Sequence, residues 1–376
     1  MINREKETEK RKYVWVDTLK GIAICGVVMC HCNNSDLPQY LSNIVFYGKN
    51  CVQLFFVLSA FLLFISYEKH SATEKDGHWI AKKIIRLVPT YYIALAVSGI
   101  LGGGMPYWLG SETQITTANV LAHILFLHGL FPHYINSIIG VEWYLGALVI
   151  FYVAVPFLYK KVNSIEKSVI CFIGTGIGCC LINFLLRKFV PDVIDSYIYS
   201  DYLNIWFLAQ LPVMILGILL FHCCKSQMLS KIRHRTLLSM TLFLFSLCML
   251  SGMILDKNKL LGLSEVTLFG MWFFLIALSQ YIKPIPFVNN IIFCKLGEYS
   301  YPIYLLHFQI ISLYTKYIPG LVGNGVVGWL VKYVVVIATS FIIALPLHRW
   351  IEIPIERLMY TGFGFVIDRN RDSSKQ

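Results

Sequence analysis

Charged residues are scarce in this chain of 376 residues, since Asp, Glu, Lys and Arg together make up only 14% of it. Soluble domains average about 25% charged residues. The chain is 57% hydrophobic and 15% aromatic, and its mean hydropathy is +0.63. This composition excludes an ordinary soluble domain and predicts a membrane protein with aromatic residues at its interfaces.

The eleven cysteines lack the spacing of a metal site. Most of them, including the adjacent Cys179 and Cys180, lie in apolar runs, which is typical of small buried side chains rather than of disulfides or zinc ligands. We therefore expect no metal. We also expect no cleavable signal peptide, because Asp17 and Lys20 lie in the first apolar run and no small-residue cleavage site follows.

Apolar windows of about 20 residues are typical of membrane-spanning helices. Ten such windows predict an all-α integral membrane fold, at 14–32, 44–66, 84–102, 141–159, 167–186, 203–222, 236–254, 262–282, 297–315 and 326–347. The apolar stretch 119–131 is too short to span and is expected to be re-entrant or interfacial. No connecting segment is long enough for a soluble domain of typical size.

The distribution of Lys and Arg predicts the orientation of these helices. With a cytoplasmic N-terminus, about three quarters of the basic residues fall on predicted cytoplasmic segments, so both termini are expected in the cytoplasm. This topology explains the net charge of +11 without a nucleic-acid partner. The expected organisation of this multi-pass protein of the cell membrane is a basic tail over 1–12, a transmembrane domain over 13–357 and a second cytoplasmic tail over 358–376.

The first predicted helix has charged residues near its start and an imidazole near its end. Asp17 and Lys20 are three residues apart and share a helix face. His31 follows Lys20 by eleven residues, close to three turns, so it lies on nearly the same face, roughly 21 Å beyond Asp17. Ionisable residues within membrane segments mark functional sites. An isolated His31 would suggest a structural histidine, but the aligned charges favour a functional one.

Two further sets of ionisable residues lie at the ends of predicted spans. Lys83 and Arg86 are three residues apart at the start of the third span, where they predict either a phosphate-binding pair or ordinary positive-inside anchors. Glu142 begins the fourth span at the predicted outer face. Its carboxylate is placed to orient a histidine, to bind a hydroxyl group or simply to be solvated.

The ninth predicted span has a polar face. Ser300, Tyr304 and His307 occur at i, i+4 and i+7 and share that face, with Tyr301 beside it. We expect this face to point into the helix bundle. Packing with satisfied hydroxyl groups is the alternative for the two tyrosines. Residues 348–354, in contrast, predict a structural anchor at the membrane interface.

In their order along the chain, these motifs resemble those of the membrane acyltransferase-3 family, whose members modify cell-surface sugars. The resemblance extends from about residue 13 to about residue 357. It is based on six segments, namely 17–24 with His31, 52–62, 83–92, 143–145 with Phe151, Tyr152 and Pro156, 296–307, and 351–354.

The resemblance implies a ten-helix fold, a cytoplasmic acyl-CoA donor, expected to be acetyl-CoA, and an acceptor hydroxyl on a surface or exported saccharide or glycolipid. It makes His31 the essential histidine and Lys83 with Arg86 the basic pair of the third span. Lysine replaces the usual arginine at Lys83 and Lys20, which keeps the charge but loses bidentate geometry. Many members have a glutamate shortly after the fourth-span tryptophan; this chain has none there, which leaves Glu142 as a weaker substitute.

The sequence therefore predicts a membrane O-acyltransferase. Asp17, Lys20, Lys83 and Arg86 form the expected coenzyme A site, because cationic side chains are the usual phosphate partners. The pantetheine arm is about as long as the roughly 21 Å rise from Asp17 to His31, so the thioester would reach the outer half of the bundle.

His31 is expected to act as general base on the acceptor hydroxyl or to take the acyl group itself. Tyr301, Tyr304 or His307 would donate hydrogen bonds to the tetrahedral oxyanion.

Two other functions are compatible with the same residues. A proton-coupled secondary transporter would use His31, Glu142 and His307 as a relay, and it would not depend on acyl-CoA. The near absence of acidic residues in the middle of the spans argues against it. A non-catalytic membrane module that binds a ligand is the second alternative.

Overall fold

The computed structural model describes residues 13–32, 37–107, 114–190, 196–226, 236–238, 241, 264–282, 284–285, 288–318 and 325–362. All regular secondary structure in these residues is helical. The α-helices are α1 (Val14–His31), α2 (Gln39–Phe46), α3 (Cys51–His70), α4 (Asp76–Leu101), α5 (Thr117–Ile124), α6 (Trp143–Lys161), α7 (Ile165–Phe189), α8 (Ser196–Ile205), α9 (Phe207–Lys225), α10 (Glu265–Ile282), α11 (Ile291–Glu298), α12 (Ser300–Tyr317), α13 (Gly325–Leu347) and α14 (Ile353–Gly362).

Eight segments of the described chain are long and apolar enough to cross a membrane. They overlap eight of the ten predicted windows, which confirms the all-α membrane fold. The predicted window 236–254 lies almost wholly outside the described residues. The window 297–315 corresponds to α12, whose polar residues, among them His307 and Gln309, keep it below the hydropathy of the other segments.

Local signals explain why α11 and α12 are separate helices. The Asn290 side chain accepts hydrogen bonds from the backbone N–H groups of Ile292 and Phe293 and so caps α11. Pro302 lies in the first turn of α12, where a missing N–H is tolerated but a continuous helix from α11 would be interrupted. The chain therefore turns at Tyr299, and α12 begins with its polar face at the turn.

Helix α1 lies close against α11. A Cβ atom on Gly21 would overlap the backbone carbonyl of Phe293, and one on Gly297 would overlap the carbonyl of Asp17. Glycines permit this approach of two helix backbones, as is common in membrane proteins. The packing fixes the first turns of α1, and with them Asp17 and Lys20, against the start of α12.

Helix α13 ends in a π-helical turn, His348–Glu352, before α14 begins. The Glu352 carboxylate contacts the His348 ring at Nδ1 and accepts a hydrogen bond from the Thr90 hydroxyl of α4. This contact ties the end of α13 to α4. Single π turns within helices are frequent at functional sites.

The connection between α4 and α6 contains two short helices, α5 and the 3-10 helix His128–Leu130. Thr116 caps α5, because its side chain accepts a hydrogen bond from the Asn119 N–H. Both helices are too short to cross a membrane, in agreement with the prediction for the stretch 119–131.

Candidate functional site

A cavity of about 980 Å³ lies between the helices at the Lys20 end of α1, and we call it the large cavity. One face of α3 lines it with Ser59 and Ser66, which are two helical turns apart. The other walls come from α4, α6, α12, the π turn and α14. Its volume is at the upper end of the range for ligand pockets, which is about 300–1,000 Å³.

Three residues that the sequence predicts as cationic ligands, Lys20, Lys83 and Arg86, line the large cavity together; we call them the cationic group. The Lys83 Nζ donates a hydrogen bond to Ser66 Oγ at 2.6 Å and lies 5.3 Å from the centre of the Trp79 ring. The Arg86 side chain is exposed, and no acidic side chain of the described residues is within ion-pair distance of it. Arg86 is therefore available to an anion.

Asp17 lies beside the cationic group. Its carboxylate forms an ion pair with the Lys20 Nζ at 3.5 Å. Within the described part of the chain, Asp17 is not among the residues that line the large cavity. This arrangement makes Asp17 the counter-ion of Lys20.

Acidic residues at the large cavity have cationic partners of their own. Glu74 pairs with Lys82 at 2.6 Å, and Glu298 pairs with Lys295 at 2.7 Å. The hydrogen bond that Lys295 donates to Glu298 raises the pKa of Lys295 above its ordinary value. Glu352 is held by the contacts of the π turn. These carboxylates therefore do not cancel the charge of the cationic group.

The inner end of the large cavity is formed by Ser59, Tyr144 of α6 and Tyr304 of α12. Ser59 Oγ and the Tyr144 hydroxyl are 2.9 Å apart, and either can be the donor of the hydrogen bond between them. The centres of the Tyr144 and Tyr304 rings are 5.4 Å apart. The rings of Tyr144 and Tyr304 thus form part of the inner wall of the cavity.

The predicted residues Tyr301 and Tyr304 both line the large cavity, and their hydroxyl protons are bonded to backbone carbonyls. Tyr301 donates to the carbonyl of Leu87 at 2.7 Å, and Tyr304 donates to the carbonyl of Val141 at 2.8 Å. These bonds hold the two rings in place, and each uses the one proton that a tyrosine hydroxyl can donate.

A second, smaller pocket of about 400 Å³, which we call the small pocket, lies at the His31 end of α1. His31 lines it together with Tyr107 and Phe308. The Phe308 ring packs edge-on against both, with its centre 4.5 Å from that of His31 and 5.1 Å from that of Tyr107. The small pocket thus combines one imidazole with an aromatic wall.

His307 is fully buried and lies next to residues of both cavities. Its ring centre is 5.3 Å from that of His31 and 6.0 Å from that of Tyr304. Its Nδ1 lies 2.7 Å from the Tyr304 carbonyl oxygen, and because a carbonyl only accepts, we place the proton of the neutral ring on Nδ1. The lone pair is then on Nε2, which has no hydrogen-bond partner among the described residues. A buried nitrogen without a partner is costly, and the lone pair of Nε2 is free to accept a hydrogen bond.

Glu142 is fully buried at the start of α6. Its carboxylate accepts hydrogen bonds from the backbone N–H groups of Ile138, Ile139 and Gly140, and His123 Nε2 lies 3.3 Å from it. Burial alone would raise the pKa of Glu142, but the contacts with His123 hold it below its ordinary value. The carboxylate therefore fastens the loop that precedes α6.

The loop that Glu142 fastens contacts both cavities. Its Val141 carbonyl receives the tyrosine hydroxyl described above. Gly140 has a φ of +97° and lies against the Tyr107 and Phe308 rings, where a Cβ atom would be 2.8 Å and 3.0 Å from their carbons. Only glycine fits both this backbone conformation and this space.

A family model described as an acyltransferase domain matches residues 13–349, which is well over half of the chain. The chain belongs to the acyltransferase-3 family. The resemblance noted in the sequence is thereby confirmed. No curated protein and no solved structure matches the chain.

The acyltransferase has cavity residues to which the sequence analysis gives no role. Ser59 and Ser66 recur at a spacing of seven in a mostly apolar helix, and this polar face of α3 is a signal that sequence reading missed. Tyr144 belongs to the motif segment 143–145, but no spacing in the sequence indicates Ser59 as its partner. Tyr107 meets Phe308 across two hundred residues, a contact that no local pattern predicts.

The described residues of the acyltransferase hold no group of three or more His, Cys, Asp or Glu side chains suited to a metal ion. Each described cysteine is a free thiol. The rings of His123 and His128 stack with their centres 4.5 Å apart in the connection between α4 and α6, beside Glu142, and the sequence analysis did not pair them with it.

Proposed function

We propose that this acyltransferase moves an acyl group, with acetyl as the expected one, from acyl-CoA to a hydroxyl group of a saccharide or glycolipid. One observation above all supports the proposal. A large cavity with a cationic group and a small pocket with His31 lie at opposite ends of α1, and His307 lies next to residues of both.

The large cavity suits the acyl-CoA donor. Its cationic group, with the unpaired Arg86 guanidinium, provides the donors that phosphates of a nucleotide require. In the predicted topology this end faces the cytoplasm, where acyl-CoA is made. The pantetheine arm would extend along α3 from Ser66 towards Ser59, which places the thioester at the inner end beside Tyr304.

The small pocket suits the acceptor. Flat aromatic faces such as those of Tyr107 and Phe308 are good partners for the apolar faces of a sugar ring, and a nearby imidazole can reach one of its hydroxyl groups. In the predicted topology the small pocket faces the opposite side of the membrane. A surface saccharide or glycolipid would therefore reach His31 without crossing the bundle.

In the proposed reaction His31 takes the proton of the acceptor hydroxyl, whose oxygen attacks the carbonyl carbon of the thioester. A C–O bond forms, the C–S bond breaks, and the proton goes to the coenzyme A thiolate. His307 supports His31, because its unpartnered Nε2 accepts a proton or a hydrogen bond from the neighbouring ring. Glu142 is a positioning residue, since it holds the loop that contacts Tyr304 and Phe308.

The proposal is tested by transfer of label from acetyl-CoA to host surface glycans in membranes that express the wild type or His31→Ala. We expect the variant to lose at least about 100-fold in rate at equal protein level, because general-base catalysis contributes roughly 10²–10⁴-fold. His222→Gln is a matched control, since this half-buried histidine of α9 lies outside both cavities and bonds to the Val162 carbonyl.

Label transfer by His31→Ala at the wild-type rate would contradict the catalytic role of His31. Transport of a solute that needs a proton gradient but no acyl-CoA would favour the transporter instead. Label retained on the protein in the absence of acceptor would indicate that His31 takes the acyl group itself before passing it on.

A further inference from the structure

We propose that the hydroxyl pair of Ser59 and Tyr144 binds the carbonyl oxygen of the acyl group and stabilises the oxyanion formed on attack. This inference rests on the proposed function, because it assigns a role within the transfer reaction. It gives that role to two residues that the sequence motifs leave without one.

The position of the pair is suited to this role. Ser59 and Tyr144 line the inner end of the large cavity, where the proposed arm of the donor ends. The Tyr144 ring centre is 5.4 Å from that of Tyr304, which in turn is 6.0 Å from that of His307. The Tyr144 and His307 rings are thus both next to Tyr304, so an acyl carbon held at the inner end of the large cavity would lie near the hydroxyl pair and near the histidines.

The pair has a hydroxyl proton to spare. Two hydroxyl groups have two protons, and the bond between Ser59 and Tyr144 uses one of them. Neither side chain has another hydrogen bond within the described part of the chain. Helical serines commonly donate to the carbonyl four residues earlier, as Ser168 does to Ser164 at 2.8 Å, whereas Ser59 has no such bond. One donor therefore remains for an incoming oxygen.

The other candidate donors near the inner end have no proton to offer. The hydroxyl protons of Tyr301 and Tyr304 are bonded to backbone carbonyls at 2.7 Å and 2.8 Å. Neutral His307 has its proton on Nδ1, in the bond to the Tyr304 carbonyl. Donation from any of these three groups would first require that a buried hydrogen bond break, which costs free energy.

The Tyr144 hydroxyl is also held in place. Its ring is buried and packs against Phe56, with ring centres 4.7 Å apart, and against Tyr304. Donors that are fixed before the reaction stabilise a developing charge best, because they need no reorganisation when it forms. Hydrogen bonds in a row also polarise one another, so a Ser–Tyr pair is a stronger donor than either hydroxyl group alone.

In the reaction, attack by the acceptor oxygen moves the carbonyl π electrons onto the acyl oxygen. The spare hydroxyl proton binds this oxyanion without being transferred to it. When the intermediate collapses, the C=O bond re-forms and the C–S bond breaks. The thiolate leaves with the proton that the histidines took from the acceptor, so the Ser–Tyr pair is unchanged at the end.

The test is a double-mutant cycle of Ser59→Ala, Tyr144→Phe and the double variant, with kcat and KM measured for acetyl transfer. Each substitution removes one oxygen and keeps the surrounding packing. We expect each single variant to lose less than about tenfold in kcat, because the remaining hydroxyl then has a free proton. The double variant should lose about 100-fold or more, with KM for acetyl-CoA within about threefold of wild type.

Tyr159→Phe is the matched control, because Tyr159 is on the same helix as Tyr144 but is not among the described residues that line either cavity. Its kcat should stay within about threefold of wild type. Thermal unfolding and binding of an unreactive thioether analogue of acetyl-CoA check that the double variant folds and still binds the donor.

A double variant that keeps its kcat within threefold, or that raises KM without lowering kcat, overturns the inference while the proposed function stands. A Tyr159→Phe variant that loses as much kcat as the double variant overturns it as well. A wild type that transfers no label overturns the proposed function, and the inference with it.

Discussion

At the scale of single residues, Arg86 and Lys82 offer a direct test of how the large cavity binds its ligand. Both lie on α4 and line the cavity, but Lys82 is ion-paired with Glu74 while no acidic partner of Arg86 occurs among the described residues. A hydrogen bond to a charged group contributes about 1.5–3 kcal/mol. Arg86→Gln should therefore raise KM for acetyl-CoA by roughly 10- to 100-fold, and Lys82→Gln by much less.

Steady-state kinetics at saturating acceptor measures the KM for acetyl-CoA of both variants. The KM for the acceptor, measured at saturating acetyl-CoA, should be unchanged in each of them. If Lys82→Gln raises the KM for acetyl-CoA as much as Arg86→Gln does, general electrostatic attraction rather than a specific contact binds the nucleotide. Lys83→Arg provides a further comparison, since guanidinium restores the bidentate geometry that the family usually has.

How far the sequence predicts single residues depends on where their partners lie. Helical spacing predicts that Lys83 and Arg86 share a face, and the family resemblance groups them with Lys20, which lines the same cavity. The surroundings of Glu142 could not be predicted this way. Its partners are backbone N–H groups of a loop and His123 of another helix, and no periodic pattern encodes a loop conformation.

At the scale of elements, the connection between α4 and α6 should make folding sensitive to pH. Burial lowers the pKa of His128 to about 3, whereas an unfolded histidine titrates near 6.5. Below pH 6.5 the unfolded chain therefore binds a proton there that the folded chain does not. The free energy of unfolding does not depend on His128 well above pH 6.5. It falls as the pH decreases from 6.5 towards 3, by at most about 1.4 kcal/mol per pH unit from this residue.

Thermal unfolding in detergent between pH 7.5 and 5 measures this dependence, in a range above the titration of Glu142. His128→Gln removes the titrating group and keeps an N–H donor for the Glu142 carbonyl, which His128 Nε2 now contacts at 3.0 Å. The variant should show a smaller slope over this range. Equal slopes would mean that another group is responsible.

The contact between α1 and α11 gives a second test at this scale. Gly297→Ala would place a Cβ atom on the Asp17 carbonyl, and overpacking of this kind costs about 1–3 kcal/mol. Gly77→Ala is the control, because nothing lies within 4 Å of its Cβ position and alanine favours helix there. Unfolding temperatures should fall for the first variant only; an equally stable Gly297→Ala would show that the two helices have room to separate.

The sequence predicted which segments form membrane-spanning helices, but it did not predict the breaks and irregular turns between them. Hydropathy located the spans that the structure describes, because length and apolar content decide whether a helix can cross a membrane. It did not predict that residues 291–298 form a helix apart from α12. The π turn at 348–352 was also missed, because such turns depend on the contacts of the helix, here with Thr90 of α4, and not on a repeating pattern.

At the scale of the whole molecule, the charge distribution predicts that both termini lie in the cytoplasm. Epitope tags at residue 1 and after residue 376 should be protected in intact cells and accessible only after the membrane is opened. A tag in the connection that follows α5, which is predicted to lie outside, serves as the accessible control. Exposure of either terminus in intact cells would contradict the topology, and with it the assignment of the large cavity to the cytoplasm.

The placement of the two cavities at opposite ends of α1 has a consequence for kinetics. If each ligand has its own entrance, neither covers the path of the other, and no obligatory order of addition is imposed. Spent coenzyme A would return to the compartment from which it came, and the acylated product would leave on the far side. The chemical energy of a cytoplasmic thioester would thus reach an acceptor in another compartment, although no nucleotide crosses the membrane.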